Sequence, residues 1–113
     1  MEITQRTIDE NTCVITLDGT LNARSADEVK EAFREAAGEG IRQVILDLGN
    51  VPFIDSSGLA ALVSGLKTLN EMKGSLRLAS LQSQADLLFR LTMFDKVFEI
   101  YPDVDSATQA FAS

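Results

Sequence analysis

The residues best suited to chemistry are two adjacent serines, Ser56 and Ser57, which lie between Asp55 and Gly58. A serine hydroxyl can attack a substrate, can accept a phosphoryl group from another enzyme, or can cap a helix. Attack needs a general base, and the sequence contains neither a histidine nor the G-x-S-x-G motif of serine hydrolases. It also lacks the glycine-rich P-loop of nucleotide hydrolases. We therefore keep two interpretations of these serines, helix caps and acceptors of a phosphoryl group.

The serine motif lies between a predicted strand and a predicted helix. A loop in this position lies at the carboxyl edge of an α/β sheet, where functional groups usually occur. Pro52 holds the preceding residue extended, and Gly58 leaves room for another backbone or a large ligand. A phosphate on either serine would lie at a helix N-terminus, whose free amides and macrodipole tolerate negative charge. We therefore expect phosphorylation to change the surface without disturbing the fold.

The rest of the chain predicts alternating strands and helices after an opening β-hairpin. The predicted strands cover 3–8, 13–17, 42–48, 75–81 and 98–101. The predicted helices cover 25–37, 59–72, 82–91 and 105–112. A capping box from Ser25 to Glu28 is expected to begin the first helix, and Gly38 and Gly40 are expected to end it. The second helix is expected to end at Lys73 and Gly74.

Strands that alternate with helices predict right-handed crossovers and a largely parallel sheet. We expect an α/β fold with a mixed, mostly parallel five-stranded sheet, an N-terminal hairpin and about four helices. The 113 residues suffice for one domain over 1–113, with no room for a second. In the second strand, Cys13, Ile15 and Leu17 share one face, and Cys13 is interpreted as a small core residue.

The composition excludes several classes of function. With 10 basic and 17 acidic residues, the formal charge is −7, which opposes binding to nucleic acid or to anionic lipid. The sequence contains no long apolar segment, so we expect no membrane insertion and a cytoplasmic protein. One cysteine and no histidine argue against an internal disulfide and a zinc site. We therefore expect no catalytic residues, no metal and no cofactor.

The second predicted helix has an unusual composition. Its expected core face consists of Leu59, Leu62, Val63 and Leu66. The opposite side lacks charge and consists of Ala61, Ser64, Gly65, Thr68 and Met72. One interpretation of this side is a docking surface for another protein. The other is packing against a helix of the same domain, because small residues allow close helix contacts. The docking surface is the preferred interpretation.

The segment VILDLGNVPFIDSSGLAALV, at 44–63, resembles the STAS domain family, and in particular the stand-alone anti-sigma factor antagonists of bacteria. LDGTLNARSADEV at 17–29 and LTMFDKVFEIYPDVDSATQAF at 91–111 support the resemblance, which extends over essentially the whole chain. It implies that the unmodified protein binds an anti-sigma factor that is also a serine-protein kinase, which releases the sigma factor. It further implies that this kinase phosphorylates Ser56 and that a metal-dependent serine phosphatase reverses the modification. Any ATP and magnesium then belong to these partners.

The candidate site residues follow from the resemblance and from the second predicted helix. The resemblance assigns phosphorylation to Ser56. The expected partner-binding residues are Asn22, Asp55, Ser56, Ser57, Gly58, Ala61, Ser64, Gly65 and Thr68. Two places depart from the family pattern. Many relatives have an acid in place of Asn22, and relatives often have a small residue or glycine where this chain has Met93 and Phe94.

Other functions remain as alternatives. The STAS fold also docks, without modification, on the ATPase of lipid-transport ABC complexes, and a subunit of such a complex is the main alternative. A part of a larger stress-signalling assembly is another. An independent enzyme is the least favoured class, because the sequence shows no general base, metal cluster or phosphate cradle.

Overall fold

The computed structural model describes residues 1–112. The protein is built around a five-stranded sheet with the strands in chain order. The strands are β1 (Glu2–Asp9), β2 (Thr12–Asp18), β3 (Gln43–Asn50), β4 (Ser75–Ala79) and β5 (Glu99–Tyr101). β1 and β2 form an antiparallel hairpin, and each later strand pairs in parallel with the strand before it. The predicted mixed sheet with an N-terminal hairpin is confirmed.

Helices connect the parallel strands and follow the last of them. They are α1 (Ala26–Gly38), α2 (Ser56–Glu71), α3 (Ser83–Leu91) and α4 (Val104–Ala112). A short 3₁₀ turn, Phe94–Lys96, follows α3. The predicted alternation of strands and helices is confirmed. The second helix begins at Ser56 rather than at Leu59, because the serine motif itself forms its first turn.

The two faces of the sheet bury different layers. Val44, Leu46 and Leu48 of β3 pack with apolar residues of α1, α2 and α3, whereas Ile45 packs on the side of α4. This alternation confirms β3 as a strand that is covered on both faces. Cys13 is fully buried in the larger layer, as predicted, and burial raises the pKa of its thiol to about 11.

α1 packs directly on α2 at Gly65. A Cβ atom at Gly65 would overlap the ring of Phe33, and Ala61, one turn earlier on α2, is fully buried. A helix of the same domain therefore covers the small side of α2. The interpretation of this side as a docking surface is wrong for Ala61 and Gly65. Val63, which was expected to face the core, is instead 37% exposed.

The predicted capping box at the start of α1 is wrong. Ser25 occupies the N-cap position, but its side chain makes no capping bond. The Ser25 hydroxyl donates to the Thr20 carbonyl at 2.8 Å and accepts from the Asn22 N–H at 3.0 Å. It therefore closes the loop between β2 and α1, a competing role that short polar side chains commonly take.

Left-handed backbone follows three of the helices. The residues are Gly40 after α1 (φ +89°), Lys73 after α2 (φ 61°) and Met93 after α3 (φ 65°). This conformation favours glycine. Lys73 and Gly74 end α2 as expected, because the Gly74 N–H donates to the Leu69 carbonyl at 2.8 Å and the Lys73 N–H donates to the Asn70 carbonyl at 3.0 Å. Gly74 also allows a close approach, since a Cβ there would overlap the backbone of Arg42.

Gly65→Ala should lower the free energy of unfolding by about 1–3 kcal/mol, because the added methyl group overlaps the buried ring of Phe33. Gly38→Ala is the matched control, since nothing lies near its Cβ position and alanine is the better helix former. Chemical denaturation followed by circular dichroism measures both variants. Equal stability of the two variants would contradict the assigned contact between α1 and α2.

Candidate functional site

The backbone of Leu21 joins the two loops that carry most of the predicted site. Its N–H donates to the Phe53 carbonyl at 3.0 Å, and its carbonyl accepts from the Asp55 N–H at 3.1 Å. Leu21 and Ile54 thus form a parallel bridge. The loop after β2 and the loop after β3, which we name the serine loop (51–55), therefore form one surface. Asn22 directly follows Leu21 and lies in this joined region.

A side chain of α3 holds the opposite edge of the serine loop. Gln84 Oε1 accepts from the Ile54 N–H at 2.8 Å, and Gln84 Nε2 donates to the Ile54 carbonyl at 2.9 Å. The Ile54 side chain is fully buried. Gln84 was not among the predicted site residues, because a single glutamine near the start of a helix gives no signal in composition or spacing.

Asp55, and not a serine, caps α2. Its backbone is extended, and its Oδ1 accepts from the Gly58 N–H at 2.9 Å. Ser56 and Ser57 are the first two residues of α2, so their N–H groups have no partner within the helix. Within residues 1–112, neither serine hydroxyl takes part in a hydrogen bond. The capping role therefore belongs to Asp55, and the hydroxyls are left for other chemistry.

The residues of the serine motif differ in accessibility. Ser56 is exposed, whereas Asp55 and Ser57 are half-buried. Gly58 is buried, and a Cβ there would overlap the carbonyl of Leu21. The expected close approach at Gly58 is confirmed, but the approaching backbone belongs to this domain. Gly58 therefore supports the site from beneath and does not form part of an accessible binding surface.

The exposed side of α2 differs from the predicted one. It continues from Ser56 at helical spacing through Ala60, Val63 and Lys67. Ala61 and Gly65 lie under α1. Ser64 and Thr68 are half-buried, and the Thr68 hydroxyl donates to the Ser64 carbonyl at 3.0 Å. The exposed side of α2 therefore carries no charged side chain from Ser56 to Val63.

Asn22 shapes the neighbouring loop through an Asx turn. Its Oδ1 accepts from the Arg24 N–H at 2.9 Å, and the residue is half-buried. An aspartate side chain could accept the same bond. Asparagine in place of an acid therefore keeps the shape of this loop and removes one negative charge from the region of the serine loop.

The site presents an exposed alcohol beside a carboxylate, at a helix end that attracts anions.

Within residues 1–112, no group of three or more His, Cys, Asp and Glu side chains is placed to hold a metal ion. None of the helices in these residues combines the length and the apolar character needed to cross a membrane.

Comparison with protein families gives a match over most of the chain. The family model of the STAS domain covers residues 4–107, from β1 into α4. The chain belongs to the STAS domain family. One similar protein is BtrV of Bordetella bronchiseptica, which has the provisional name of anti-sigma factor antagonist. BtrV is 28% identical over 111 residues, which cover 98% of this chain and 95% of BtrV.

Solved STAS structures share the same architecture. A STAS domain protein from Planctomyces limnophilus, described as an anti-sigma-factor antagonist, has a TM-score of 0.85 and 26% identity, with 98% of each chain covered. SpoIIAA of Bacillus is known in unphosphorylated and phosphorylated forms. The phosphorylated form has a TM-score of 0.74 and 16% identity, and the match covers 96% of this chain and 99% of SpoIIAA. The likeness to SpoIIAA establishes the STAS fold alone.

Asp55→Ala should lower the free energy of unfolding by about 1 kcal/mol, because α2 loses its capping bond to the Gly58 N–H. Asp55→Asn should retain most of the stability, since asparagine is an equally good cap. Ser57→Ala is the control, because the Ser57 hydroxyl makes no capping bond. Chemical denaturation measures all three. A loss in Ser57→Ala as large as that in Asp55→Ala would mean that the serine caps the helix.

Proposed function

We propose that this protein is an anti-sigma factor antagonist whose partner binding is switched off by phosphorylation of Ser56. The observation that carries the proposal is the division of roles at the start of α2. Asp55 caps the helix, and Ser56 is exposed and free of any structural role. Membership of the STAS family and the names of BtrV and the Planctomyces protein support the assignment as an antagonist. SpoIIAA, which shares the fold, occurs in a phosphorylated form.

The unmodified protein binds an anti-sigma factor that is also a serine-protein kinase, and this binding releases the sigma factor. The contact surface surrounds Ser56. It includes Ala60 and Val63 on the exposed side of α2 and Asn22 on the adjacent loop. A partner can cover these uncharged side chains without burying an unpaired charge.

Ser56 is the better phosphoacceptor of the two serines. Its side chain is exposed, whereas Ser57 is half-buried, and phosphoryl transfer requires a hydroxyl that can be placed in line with the transferred group. The kinase supplies the ATP and magnesium, so the protein itself needs no cofactor. A metal-dependent serine phosphatase acts on the same exposed position and restores the binding form.

Phosphorylation changes the charge of the site and leaves the fold intact. A phosphate adds about −1.5 to −2 charges beside Asp55. The N–H groups of Ser56 and Ser57 and the helix dipole can accommodate this charge, while the bonds from Leu21 do not involve the serine side chain. A partner that covers the site must desolvate the phosphate. A penalty of about 4 kcal/mol would weaken binding on the order of a thousandfold.

Ser56→Ala should bind the anti-sigma factor with wild-type affinity and should stay bound when ATP is added, because it cannot accept a phosphate. Ser56→Asp should bind about tenfold more weakly or worse, because a second negative charge then lies beside Asp55. Isothermal titration calorimetry with purified candidate anti-sigma kinases measures the affinities. Circular dichroism should show an unchanged fold in both variants.

Ser57→Ala is the matched control for these measurements and should bind and release like the wild type. After incubation with the kinase and ATP, peptide mapping by mass spectrometry should place the phosphate on Ser56. If both Ser56 variants bind the kinase and respond to ATP as the wild type does, the assignment of the switch to Ser56 is wrong.

A further inference from the structure

The serine loop is held at Ile54 like a strand between two neighbours. In an extended segment, the N–H and C=O groups of successive residues point to opposite edges. The Phe53 carbonyl and the Asp55 N–H point to Leu21, which bonds both. The N–H and C=O of Ile54 point to the other edge, where the side-chain amide of Gln84 bonds both. One glutamine therefore supplies the donor and the acceptor that a neighbouring strand would supply.

The Gln84 amide fits Ile54 in one orientation. Its oxygen faces an N–H and its nitrogen faces a carbonyl, so a rotated amide would place donor against donor and acceptor against acceptor. Gln84 is half-buried, and the Ile54 side chain is fully buried. Loss of the Gln84 amide would therefore leave two backbone groups without their protein partner in a partly desolvated position, which costs free energy.

A second glutamine near the start of α3 offers a comparison. Gln82 Nε2 donates to the Gly49 carbonyl at 2.9 Å. Gln82 is exposed, and its bond reaches the end of β3 rather than the serine loop. Gln84 instead bonds the residue directly before Asp55, the cap of α2. Of the hydrogen bonds made by these two glutamines, those from Gln84 therefore reach the residue nearer to Ser56 in the chain.

We propose that Gln84 is a positioning residue, which fixes the conformation of the serine loop before a partner binds at Ser56. This inference rests on the proposed function of Ser56. The paired bonds fix Ile54, and Ile54 fixes the point from which Asp55 caps α2. α2 then begins with Ser56 in its exposed position. Without the paired bonds, the serine loop has more freedom, and the kinase must order it on binding.

The cost of ordering the loop appears in binding and not in the chemical step. Once the loop is docked on the kinase, its geometry is the same with or without Gln84, so the rate of phosphoryl transfer in the complex is retained. Two hydrogen bonds of ordinary net strength correspond to a change on the order of tenfold in affinity. The signature of a positioning role is therefore a raised KM at constant kcat.

The experiment compares Gln84→Met with Gln82→Ala. Methionine retains a side chain of similar size but makes neither bond to Ile54, so packing is kept while the paired bonds are lost. In steady-state phosphorylation by a candidate anti-sigma kinase, Gln84→Met should raise KM on the order of tenfold, with kcat within about twofold of the wild type. Gln82→Ala should stay close to the wild type in both constants.

A measurement without the kinase accompanies the kinetics. NMR-detected hydrogen exchange should become faster at the Ile54 N–H in Gln84→Met, while the Asp55 N–H, which Leu21 holds, keeps more of its protection. Unchanged exchange at Ile54, an unchanged KM, or a loss confined to kcat would each overturn the inference. If Gln84→Met does not fold, Gln84→Glu replaces it. The carboxylate keeps the acceptor for the Ile54 N–H but places a charged oxygen against the Ile54 carbonyl, so a rise in KM on the order of tenfold or more is expected.

The inference and the proposed function fail in different ways. If the wild type neither binds any candidate kinase nor takes a phosphate from it, the proposed function is wrong. Hydrogen exchange at Ile54 then decides alone whether Gln84 fixes the loop. If the wild type is phosphorylated on Ser56 and Gln84→Met shows the same KM, the proposed function stands and the positioning role is wrong.

Discussion

The close contact between Leu21 and the start of α2 is the constraint on which the site depends. Leu21 bonds the serine loop through both of its backbone groups, and its carbonyl lies where a side chain at Gly58 would be. Glycine at this position therefore sets how closely the helix approaches the loop after β2, and the two hydrogen bonds set the register of the loops. Elements from two different crossovers thereby share one surface at the carboxyl edge of the sheet.

Asp55, Ser56 and Gly58 of the serine motif have different roles. Asp55 satisfies an N–H group of the helix, and Gly58 removes a steric obstacle. Ser56 holds nothing in place, although it directly follows the cap. A residue without a structural bond can change its charge at little cost to folding, and the helix end beneath it favours negative charge. Under the proposed function, adjacent residues therefore hold the fold and carry the variable charge.

The strands, the helices and the location of the serine motif could be predicted because their signals are local in the sequence. Ile45, for example, alternates with its neighbours between the two layers of the core. The partners of Ser25 and Gln84 could not be predicted, because each side chain bonds backbone groups that only the folded loops bring near. The error at Val63 and Gly65 has another cause. α2 is buried against both the sheet and α1, whereas a helical wheel assigns one core face.

The bonds that shape the serine loop join parts of the chain that lie far apart. The two bonds between Ile54 and Gln84 each span 30 positions, and Leu21 comes from an earlier crossover. The arrangement therefore exists only after three separate regions have assembled on one sheet. A short peptide with the sequence around Ser56 contains the motif but lacks the hydrogen bonds that give the serine loop its shape. Under the proposed function, a kinase that recognises this shape would act on the folded protein and not on such a peptide.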